Sequence, residues 1–317
     1  MAAPIICVLG GSGFVGRHVC AALAARGLRL RVPTRNRERA KYLTMLPTAE
    51  VVVDDIHDAS ALRGLIRDCD AVINLVGVLH SGRGKASFVQ AHVGLAAQVV
   101  AACRDTGVRR LLHMSALHAA ADRPSEYLRS KGEAEAIVRD AGLDATIFRP
   151  SVIFGRDDSF LNLFARLIKL FPVMIVPAAQ ARFQPVYVGD VAHAFDEALK
   201  RRDSIGHSYD LCGPQVYTLR ELTDFVAHTT GHRRLTFNAD DRLTHLMAFV
   251  MECLPGKMMS IDNVRSMQID SVCERGCVFP FGITPLSVEA AAPVWLAQRS
   301  PRGRYATLRD RARSQRA

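Results

Sequence analysis

Four glycines lie within seven residues near the start of the chain, inside the segment "IICVLGGSGFVGRHV" at positions 5–19. The apolar run 5–9 before them is typical of a buried strand, and the segment 14–26 after them has the apolar spacing of a helix. A glycine inside an element costs about 0.5–1 kcal/mol relative to alanine, so four together indicate a geometric requirement. A strand, a glycine loop and a helix N-terminus bring backbone N–H groups toward a diphosphate. The segment therefore predicts a dinucleotide site whose loop residues are Gly10, Ser12, Gly13, Phe14, Val15 and Gly16.

Apolar runs alternate with helix-period segments through the first half of the chain. Strands are predicted at 5–9, 28–33, 51–53, 71–76, 109–114 and over "ATIFRPSVIFG" at 145–155. Helices are predicted at 14–26, from about Ser125 to Ala141, and then at 159–170, 189–201, 218–230, 240–253 and 286–297. This alternation predicts an α/β fold with a doubly wound parallel sheet of the Rossmann type, and a smaller, mostly helical C-terminal part covering the crevice at the strand ends.

The predicted organisation has three parts. Residues 1–155 form the nucleotide-binding domain, its sheet completed by later segments, and residues 156–298 form the substrate-covering part. Residues 299–317 form a basic tail that we expect to be poorly ordered, with attraction to anionic lipid as the alternative. Seven arginines and one aspartate lie in that tail, which holds most of the formal net charge of +10. Because the body is only mildly basic, nucleic-acid binding is not expected.

No membrane-spanning segment is predicted. The stretch "FLNLFARLIKLFPVMIVPAA" at 160–179 contains Arg166, Lys169 and two prolines, so it falls short of the roughly 20 uninterrupted apolar residues that a spanning helix needs. No basic region precedes the first apolar run, which argues against a signal peptide, and a cytoplasmic protein is expected. The helical apolar stripe beside the two cations would also suit a membrane interface or a lid over a lipophilic substrate, so a place at the inner face of the membrane is the alternative.

Eight cysteines are spread along the chain. Six stand singly in apolar or helical contexts and are predicted to be free thiols that pack as small apolar groups: Cys7, Cys20, Cys69, Cys103, Cys212 and Cys253. The close pair Cys273 and Cys277 has no second pair or histidine cluster beside it, so no metal site is predicted.

The residues that follow the second predicted strand bear on the choice of cofactor. An NAD-binding fold usually offers an acidic residue there to the ribose hydroxyls, whereas this chain has "VPTRNRERAK" with Arg35 and Arg37. A guanidinium group suits a 2′-phosphate. NADP(H) is therefore predicted in preference to NAD(H), the alternative being that these arginines form an exposed turn.

Candidate catalytic side chains lie in the segment "LLHMSALHAAADRPSEYLRSKGEAEAIV". Tyr127 and Lys131 are four residues apart on a predicted helix and share one face, while Ser115 ends the strand that leads into that helix. A tyrosine and a lysine at this spacing are weak evidence alone, but their position after a glycine loop and a strand-end serine strengthens the hypothesis.

With these motifs the chain resembles the short-chain dehydrogenase/reductase superfamily, in its extended and atypical branches. The resemblance covers roughly residues 4–297 and also includes "NLVG" at 74–77, "RPSVIFG" at 149–155 and "FQPVYVGDVA" at 183–192. More narrowly, "YLRSKGEAE", "RPSVIFGRDDSFLNLFARL" and the "LPG…DNV" region resemble bacterial relatives of the nucleotide-binding accessory subunit of mitochondrial complex I.

The resemblance implies roles for individual residues. Tyr127 would be the general acid/base. Lys131 would lower the pKa of the Tyr127 phenol and would also hold the nicotinamide ribose, and Ser115 would orient a substrate carbonyl. Further cofactor contacts are implied at the adenine (Asp55, Ile56), the middle of the dinucleotide (Asn74, Gly77, Val78) and the nicotinamide end (Pro150, Ser151, Val152). The alternatives are a strand-end cap for the aspartate and a strand-ending turn for the proline.

Two departures from the family pattern leave two functions open. His92 stands where extended members often have an asparagine, and the connection from Ser115 to Tyr127 is short. One hypothesis is an oxidoreductase or epimerase acting on a small or lipophilic carbonyl or alcohol. The other is a non-catalytic NADP(H)-binding assembly or regulatory protein of the respiratory chain or of quinone synthesis, as a monomer or homodimer.

Overall fold

The structure is a computed structural model that describes residues 3–79, 87–232, 234–253 and 259–297. Its strands are β1 Ile5–Leu9, β2 Arg29–Thr34, β3 Ala49–Val53, β4 Ala71–Asn74, β5 Arg110–Met114, β6 Asp144–Pro150, β7 Ile153–Phe154, β8 Val173–Val176, β9 Arg182–Phe183, β10 Val186–Tyr187, β11 Ser208–Leu211, β12 Tyr217–Thr218 and β13 Leu235–Asn238. Its helices are α1 Phe14–Ala25, α2 Ala59–Ile66, α3 Leu95–Thr106, α4 Glu126–Arg139, α5 Leu161–Leu170, α6 Val188–Lys200, α7 Leu219–Thr229, α8 Asp241–Cys253, α9 Ile261–Ser266, α10 Val288–Ala291 and α11 Pro293–Leu296.

Seven parallel strands form the central sheet, in the order β11-β6-β5-β4-β1-β2-β3. The chain builds outward from β1 to β3 and then returns to the other side of β1 with β4, so the order reverses between these two strands. Ligands of open α/β sheets bind outside the carboxyl ends of the strands at such a reversal. The predicted fold class, a doubly wound parallel sheet, is confirmed.

Both faces of the sheet are covered by helices. On one face, α2, α3 and α4 bury Leu62, Val99 and Val138 against strand residues such as Val72 and Leu111. On the other face α1 packs against α6. The ring of Phe195 on α6 lies 4.4 Å from that of Phe148 on β6, and Arg26 after α1 forms a 2.6 Å ion pair with Asp196.

The chain divides into two compact units. The first unit takes the described residues within Met1–Pro150, Val188–Leu211 and Cys273–Thr284, and it contains the seven-stranded sheet. The second unit takes those within Ser151–Tyr187, Cys212–Val272 and Pro285–Ala317. Its core includes Phe154, Leu161, Val226 and Trp295, and its strands form the pairs β7–β10, β8–β13 and β9–β12.

Two predicted elements are broken in the structure. The strand expected over 145–155 stops at Pro150, and β7 pairs with β10 instead, because Val152 already accepts a hydrogen bond from the N–H of Val186. The helix expected over 286–297 becomes α10 and α11, with Pro293 opening the second. Proline has no N–H to donate to the preceding turn, which explains that break. Helix α2 and the π-helical turn Val89–Gly94 before α3 were not anticipated.

The cysteine predictions hold in part. Cys7, Cys20, Cys69 and Cys103 are buried free thiols, as expected. The prediction for Cys212 is wrong: Cys212 and Cys273 are each disulfide-bonded. Pairing depends on the distance between Cβ atoms in the folded chain, which spacing along the sequence does not give. The side chain of Cys253 and the tail 299–317 lie outside the described residues.

None of the described helices is long and apolar enough to cross a bilayer.

Candidate active site

The glycine loop joins β1 to α1 by close backbone contacts that leave no room for side chains. Gly10 has φ of +79°, and a Cβ there would lie 3.2 Å from the backbone C of Leu75, just beyond β4. A Cβ on Gly16 would lie 2.2 Å from the carbonyl oxygen of Gly10. These positions therefore require glycine, and they set the loop at the reversal point of the sheet.

The N-terminus of α1 is open for an anion. Its N-cap is Gly13, which offers no side-chain cap, and no acidic residue lies in the first turn. Among the described residues nothing accepts a hydrogen bond from the N–H of Phe14 or Val15. Backbone donors at the positive end of a helix suit a diphosphate, so this loop fits the pyrophosphate of a dinucleotide.

Aromatic and cationic side chains support the loop from one side. The Tyr42 hydroxyl donates to the carbonyl oxygen of Gly11 at 3.0 Å. The guanidinium of Arg17, in the first turn of α1, lies 5.7 Å from the ring centroid of Phe14 and 5.8 Å from that of Tyr42. Sequence reasoning missed Arg17 and Tyr42, since nothing in the motif shows that the turn at residues 37–45 reaches the loop.

The residues predicted at the adenine end lie beside β2 and β3. Arg35 follows β2 directly and Arg37 opens a 3₁₀ turn, and both are exposed. Asp55 follows β3, and its Oδ1 accepts from the N–H of His57 at 3.0 Å. Ile56 is half-buried and packs against the sheet core. The aspartate thus shapes the turn after the strand, while the two arginines present their charges to solvent.

Ser115 and Lys131 meet the carboxyl end of β5. Ser115 is 2% exposed, its N–H donates to the carbonyl oxygen of Phe148 at 2.7 Å, and its Oγ has no hydrogen-bond partner among the described residues. Lys131 is 2% exposed, and its Nζ donates to the carbonyl oxygen of Met114 at 3.0 Å. A Cβ on Gly77 would lie 3.0 Å from that Nζ, so the ammonium faces the backbone after β4. Burial lowers the pKa of Lys131 to about 8.

Tyr127 lies one turn before Lys131 on α4. The hydroxyl of Ser125 caps this helix by accepting from the N–H of Leu128 at 3.2 Å. The Tyr127 ring packs edge-on against Phe88 and His92, with centroids 5.9 and 5.7 Å away. Burial raises the pKa of Tyr127 to about 12, so the phenol is protonated at neutral pH and suited to donate a proton.

His92 links the segment after β4 to helix α4. The N–H of Val78 donates to His92 Nε2 at 3.1 Å, so the proton of the neutral ring lies on Nδ1, which is 2.8 Å from Ser130 Oγ. Ser130 Oγ in turn donates to the carbonyl oxygen of Tyr127 at 2.9 Å. Burial, together with the charge of Lys131, lowers the pKa of His92 to about 3.

A second buried histidine was missed by the sequence analysis. His113 Nδ1 accepts from Asn74 Nδ2 at 3.3 Å, across the register pair Asn74↔His113 of β4 and β5. Its Nε2 is buried and has no partner within the described part of the chain. His113 precedes Ser115 by two residues, so both face the same side of the strand. The available signal was a histidine inside the apolar run "LLHM".

The three residues predicted at the nicotinamide end fall into different units. Pro150 ends β6 in the first unit, and its carbonyl oxygen accepts from the N–H of Leu117 at 3.0 Å. Ser151 and Val152 belong to the second unit. The Ser151 hydroxyl donates to the carbonyl oxygen of Ser271 at 2.7 Å. All three stay predicted cofactor contacts.

The sheet is doubly wound and parallel, and an uncapped glycine loop lies at its reversal point. Lys131 on α4 is buried against the carboxyl end of β5. These features define a dinucleotide-binding protein of the dehydrogenase type. The chain belongs to the NAD dependent epimerase/dehydratase family, whose model matches residues 6–212. The resemblance to extended short-chain dehydrogenases is thereby confirmed, and the chain is a member of a family of NAD-dependent enzymes.

Individual relatives extend this picture. The chain is 33% identical to the mitochondrial "NADH dehydrogenase [ubiquinone] 1 alpha subcomplex subunit 9" of Arabidopsis thaliana, over 84% of this chain and 70% of that subunit. It is 32% identical to the Rattus norvegicus subunit of the same name, over 71% of this chain and 61% of that subunit. A "4-hydroxy-2-methyl-3-oxo-4-farnesyl-3,4-dihydroquinoline-1-oxide ketoreductase" of Stigmatella aurantiaca is 29% identical, over 75% of this chain and 78% of the relative.

Among solved structures, the UDP-glucuronic acid 4-epimerase of Bacillus cereus, in complex with UDP-glucuronic acid and NAD, is similar with a TM-score of 0.68. The match covers 93% of this chain and 99% of the epimerase at 16% identity. At that identity the likeness concerns the fold alone.

Proposed function

We propose that the chain is an NADP(H)-dependent oxidoreductase that acts on a lipophilic carbonyl or alcohol through Tyr127, Lys131 and Ser115. The observation that carries this proposal is the unpartnered, buried Ser115 Oγ at the end of the strand against which the Lys131 ammonium is also buried. A buried hydroxyl without a partner costs free energy, which a substrate oxygen would recover.

Each residue has a chemical task in this proposal. When bound, the nicotinamide supplies a hydride to the carbonyl carbon of the substrate. Tyr127, protonated at neutral pH, donates its phenolic proton to the carbonyl oxygen, and the charge of Lys131 stabilises the phenolate left behind. Ser115 Oγ donates a hydrogen bond to the same oxygen. In the oxidative direction Tyr127 accepts the proton of the alcohol.

The preference for NADP(H) rests on Arg35 and Arg37. Both are exposed next to the end of β2, where the adenine ribose of a bound dinucleotide is expected, and Asp54 and Asp55 stand one strand further along, after β3. Removing one guanidinium should therefore weaken NADPH more than NADH.

The experiment measures binding and turnover separately. NADPH and NADH are titrated by protein fluorescence, and turnover is followed with farnesylated and short-chain ketones, the former suggested by the name of the Stigmatella relative. Tyr127→Phe should retain NADPH binding and lose about 100-fold or more in turnover. Tyr209→Phe, which removes a phenol elsewhere in the first unit, is the matched control. Equal turnover by wild type and Tyr127→Phe would overturn the mechanism.

A second candidate is a non-catalytic NADP(H)-binding assembly or regulatory protein of the respiratory chain or of quinone synthesis, located at the inner face of the membrane. The similarity to the complex I subunits of Arabidopsis and rat favours it. Affinity purification from mildly solubilised membranes tests it: recovery of respiratory-chain subunits, with NADP(H) released only when the protein unfolds, is the expected result. Recovery of the chain alone, with freely exchanging cofactor and measurable turnover, would exclude it.

A further inference from the structure

The second unit exposes one face of a small parallel sheet. Strands β8 and β13 pair in the register Leu235↔Val173 and Phe237↔Ile175. Because side chains alternate along a strand, these four apolar side chains lie on the same face. Each is between 41% and 67% exposed. A single exposed apolar side chain is ordinary, but four adjacent apolar side chains on one sheet face indicate an interaction surface.

The end of helix α5, close to β8 along the chain, exposes two more apolar side chains. Leu170 is 73% exposed and Phe171 is 52% exposed, and only Pro172 stands between them and β8. The Arg234 Nε, directly before β13, donates to the carbonyl oxygen of Ile168 at 2.9 Å, so the start of that strand is tied to the end of the helix. We define the apolar patch as these six exposed side chains: Leu170, Phe171, Val173, Ile175, Leu235 and Phe237.

Helix α8 follows β13 after two residues and also turns apolar side chains outward. Leu243, Leu246 and Val250 have helical spacing and are 38–58% exposed, whereas Thr244 and Ala248 on the opposite side are buried. The hydroxyl of Thr244 accepts from the N–H of Ala178, which places this helix beside the chain that follows β8.

Within the two segments that form the patch, the charges have one sign. Segments 166–176 and 234–238 contain Arg166, Lys169 and Arg234 and no acidic residue. The nearby Asp224 accepts from Thr236 Oγ1, and Thr236 alternates with Leu235 and so faces away from the patch. Apolar side chains beside cations complement a surface with anionic headgroups over hydrocarbon.

We propose that the apolar patch docks the protein on the surface of an anionic lipid bilayer, with its apolar side chains in the headgroup region and Arg166 and Lys169 against the headgroups. The proposal does not depend on the chemistry assigned to Tyr127. It gives the second unit a role of its own, that of holding the protein at the membrane.

The test is flotation of the full chain with vesicles of phosphatidylcholine, either alone or with about 30% phosphatidylglycerol. Binding is expected with the anionic vesicles and should weaken as salt rises. The double variant Ile175→Ser/Phe237→Ser should bind about tenfold more weakly or worse, and Lys169→Glu about fivefold or more weakly. Unchanged circular dichroism and NADPH binding would show that the variants fold.

Two controls separate the patch from other sources of binding. Met45→Ser/Val278→Ser removes two apolar side chains of the first unit that are more exposed than Ile175 and Phe237, and Arg67→Glu reverses an exposed charge there. Both variants should bind like wild type. The full-length variant Arg309→Gln/Arg311→Gln/Arg313→Gln lowers the charge of the tail and should retain patch-dependent binding.

Three results would overturn the proposal. One is flotation that Ile175→Ser/Phe237→Ser leaves unchanged. Another is the loss of flotation when only the three tail arginines are replaced. The third is a wild type that does not bind vesicles but forms a dimer in light scattering, with the dimer lost in Ile175→Ser/Phe237→Ser. A second copy of the chain would then cover the patch.

Discussion

At the residue scale, His92 holds two parts of the site in a fixed relation. Its ring accepts from the N–H of Val78 on one side and contacts Ser130 on the other, and Ser130 donates to the backbone of Tyr127. The bond from Val78 requires the neutral ring with its proton on Nδ1, because Nε2 must accept. A charged imidazole would lose the bond to Val78, so this connection is sensitive to acid.

We expect His92 to make the fold acid-labile. Its pKa is about 3 when folded and near 6.5 when unfolded. The unfolded chain therefore binds more protons between these values, and the free energy of unfolding falls as pH drops below 6.5, by up to about 1.4 kcal/mol per pH unit for one group.

Urea unfolding at several pH values from about 7 to about 5 measures how the free energy of unfolding changes with pH. His92→Gln should show a smaller loss of stability on acidification than wild type. His228→Gln, at an exposed site on α7, controls for the removal of a histidine. A slope for His92→Gln that matches wild type would contradict the assignment.

Lys131 makes the free energy of unfolding depend on pH on the alkaline side of neutrality. With a folded pKa of about 8 and an unfolded value of about 10.4, the unfolded state binds more protons between the two. The contribution of Lys131 to stability therefore rises with pH through this window. Burial raises the pKa of Cys20, Cys103 and Tyr127 to about 12, and the remaining thiols are common to both proteins. The difference between wild type and Lys131→Met therefore isolates the lysine.

The free energy of unfolding is measured without cofactor for both proteins. Relative to Lys131→Met, that of wild type should rise by about 1 kcal/mol or more for each pH unit from about pH 8 to about pH 10. A constant difference across that range would mean that the ammonium is not desolvated in the folded protein.

At the element scale, the contact of the glycine loop with α1 depends on the absence of a side chain at Gly16. Gly16→Ala would place a Cβ 2.2 Å from the Gly10 carbonyl oxygen and 2.5 Å from the Gly11 Cα, so the backbone of the loop would have to shift. Gly64→Ala, in α2, is the matched control because no atom lies within 4 Å of its Cβ position.

We expect Gly16→Ala to lose NADPH binding and about 1–3 kcal/mol of stability. Gly64→Ala should bind normally and unfold at an equal or higher temperature, since alanine favours a helix over glycine by about 0.8–1 kcal/mol. Calorimetry and fluorescence titration of both variants check this, and normal NADPH binding by Gly16→Ala would show that the loop is not the binding element.

Local sequence patterns were enough for the elements whose partners are close in sequence. Strand β1, the glycine loop and α1 follow from residues 5–25 alone, and α4 begins at Glu126 after the expected Ser125. The break after Pro150 was expected only as an alternative, because "ATIFRPSVIFG" is mostly apolar and is typical of one strand. In the fold the N–H of Val186 donates to the carbonyl oxygen of Val152, which directs the second half to β10. Tertiary contacts decided this case.

The site divides in the same way. Ser115, Tyr127 and Lys131 were chosen from motif spacing, which reports one helix face and one strand end. The bond between Asn74 and His113 depends on the register of two strands separated by the whole of α3, so no spacing rule reaches it. The contact of Lys131 with Gly77 likewise depends on how α4 packs on the sheet.

At the scale of the whole molecule, the sheet unit is assembled from distant pieces of chain. Helix α6 supplies Phe195 to Phe148 and Asp196 to Arg26, and β11 pairs with β6 from Ser208↔Ile147 to Leu211↔Pro150. We therefore expect a fragment that ends at residue 155 not to unfold cooperatively on heating and not to bind NADPH, in contrast to the full chain. Circular dichroism melting of both checks this, and a cooperative, nucleotide-binding fragment would contradict it.

The same interleaving has a consequence during synthesis. As the chain leaves the ribosome, β6 emerges more than fifty residues before β11, so its outer row of N–H and C=O groups stays without a strand partner while the next segment is translated. An unpaired apolar strand edge is prone to associate with other nascent chains, and contacts this far apart in sequence form slowly. Recovery of folded protein should therefore depend on the speed of translation and on chaperones that shield such edges.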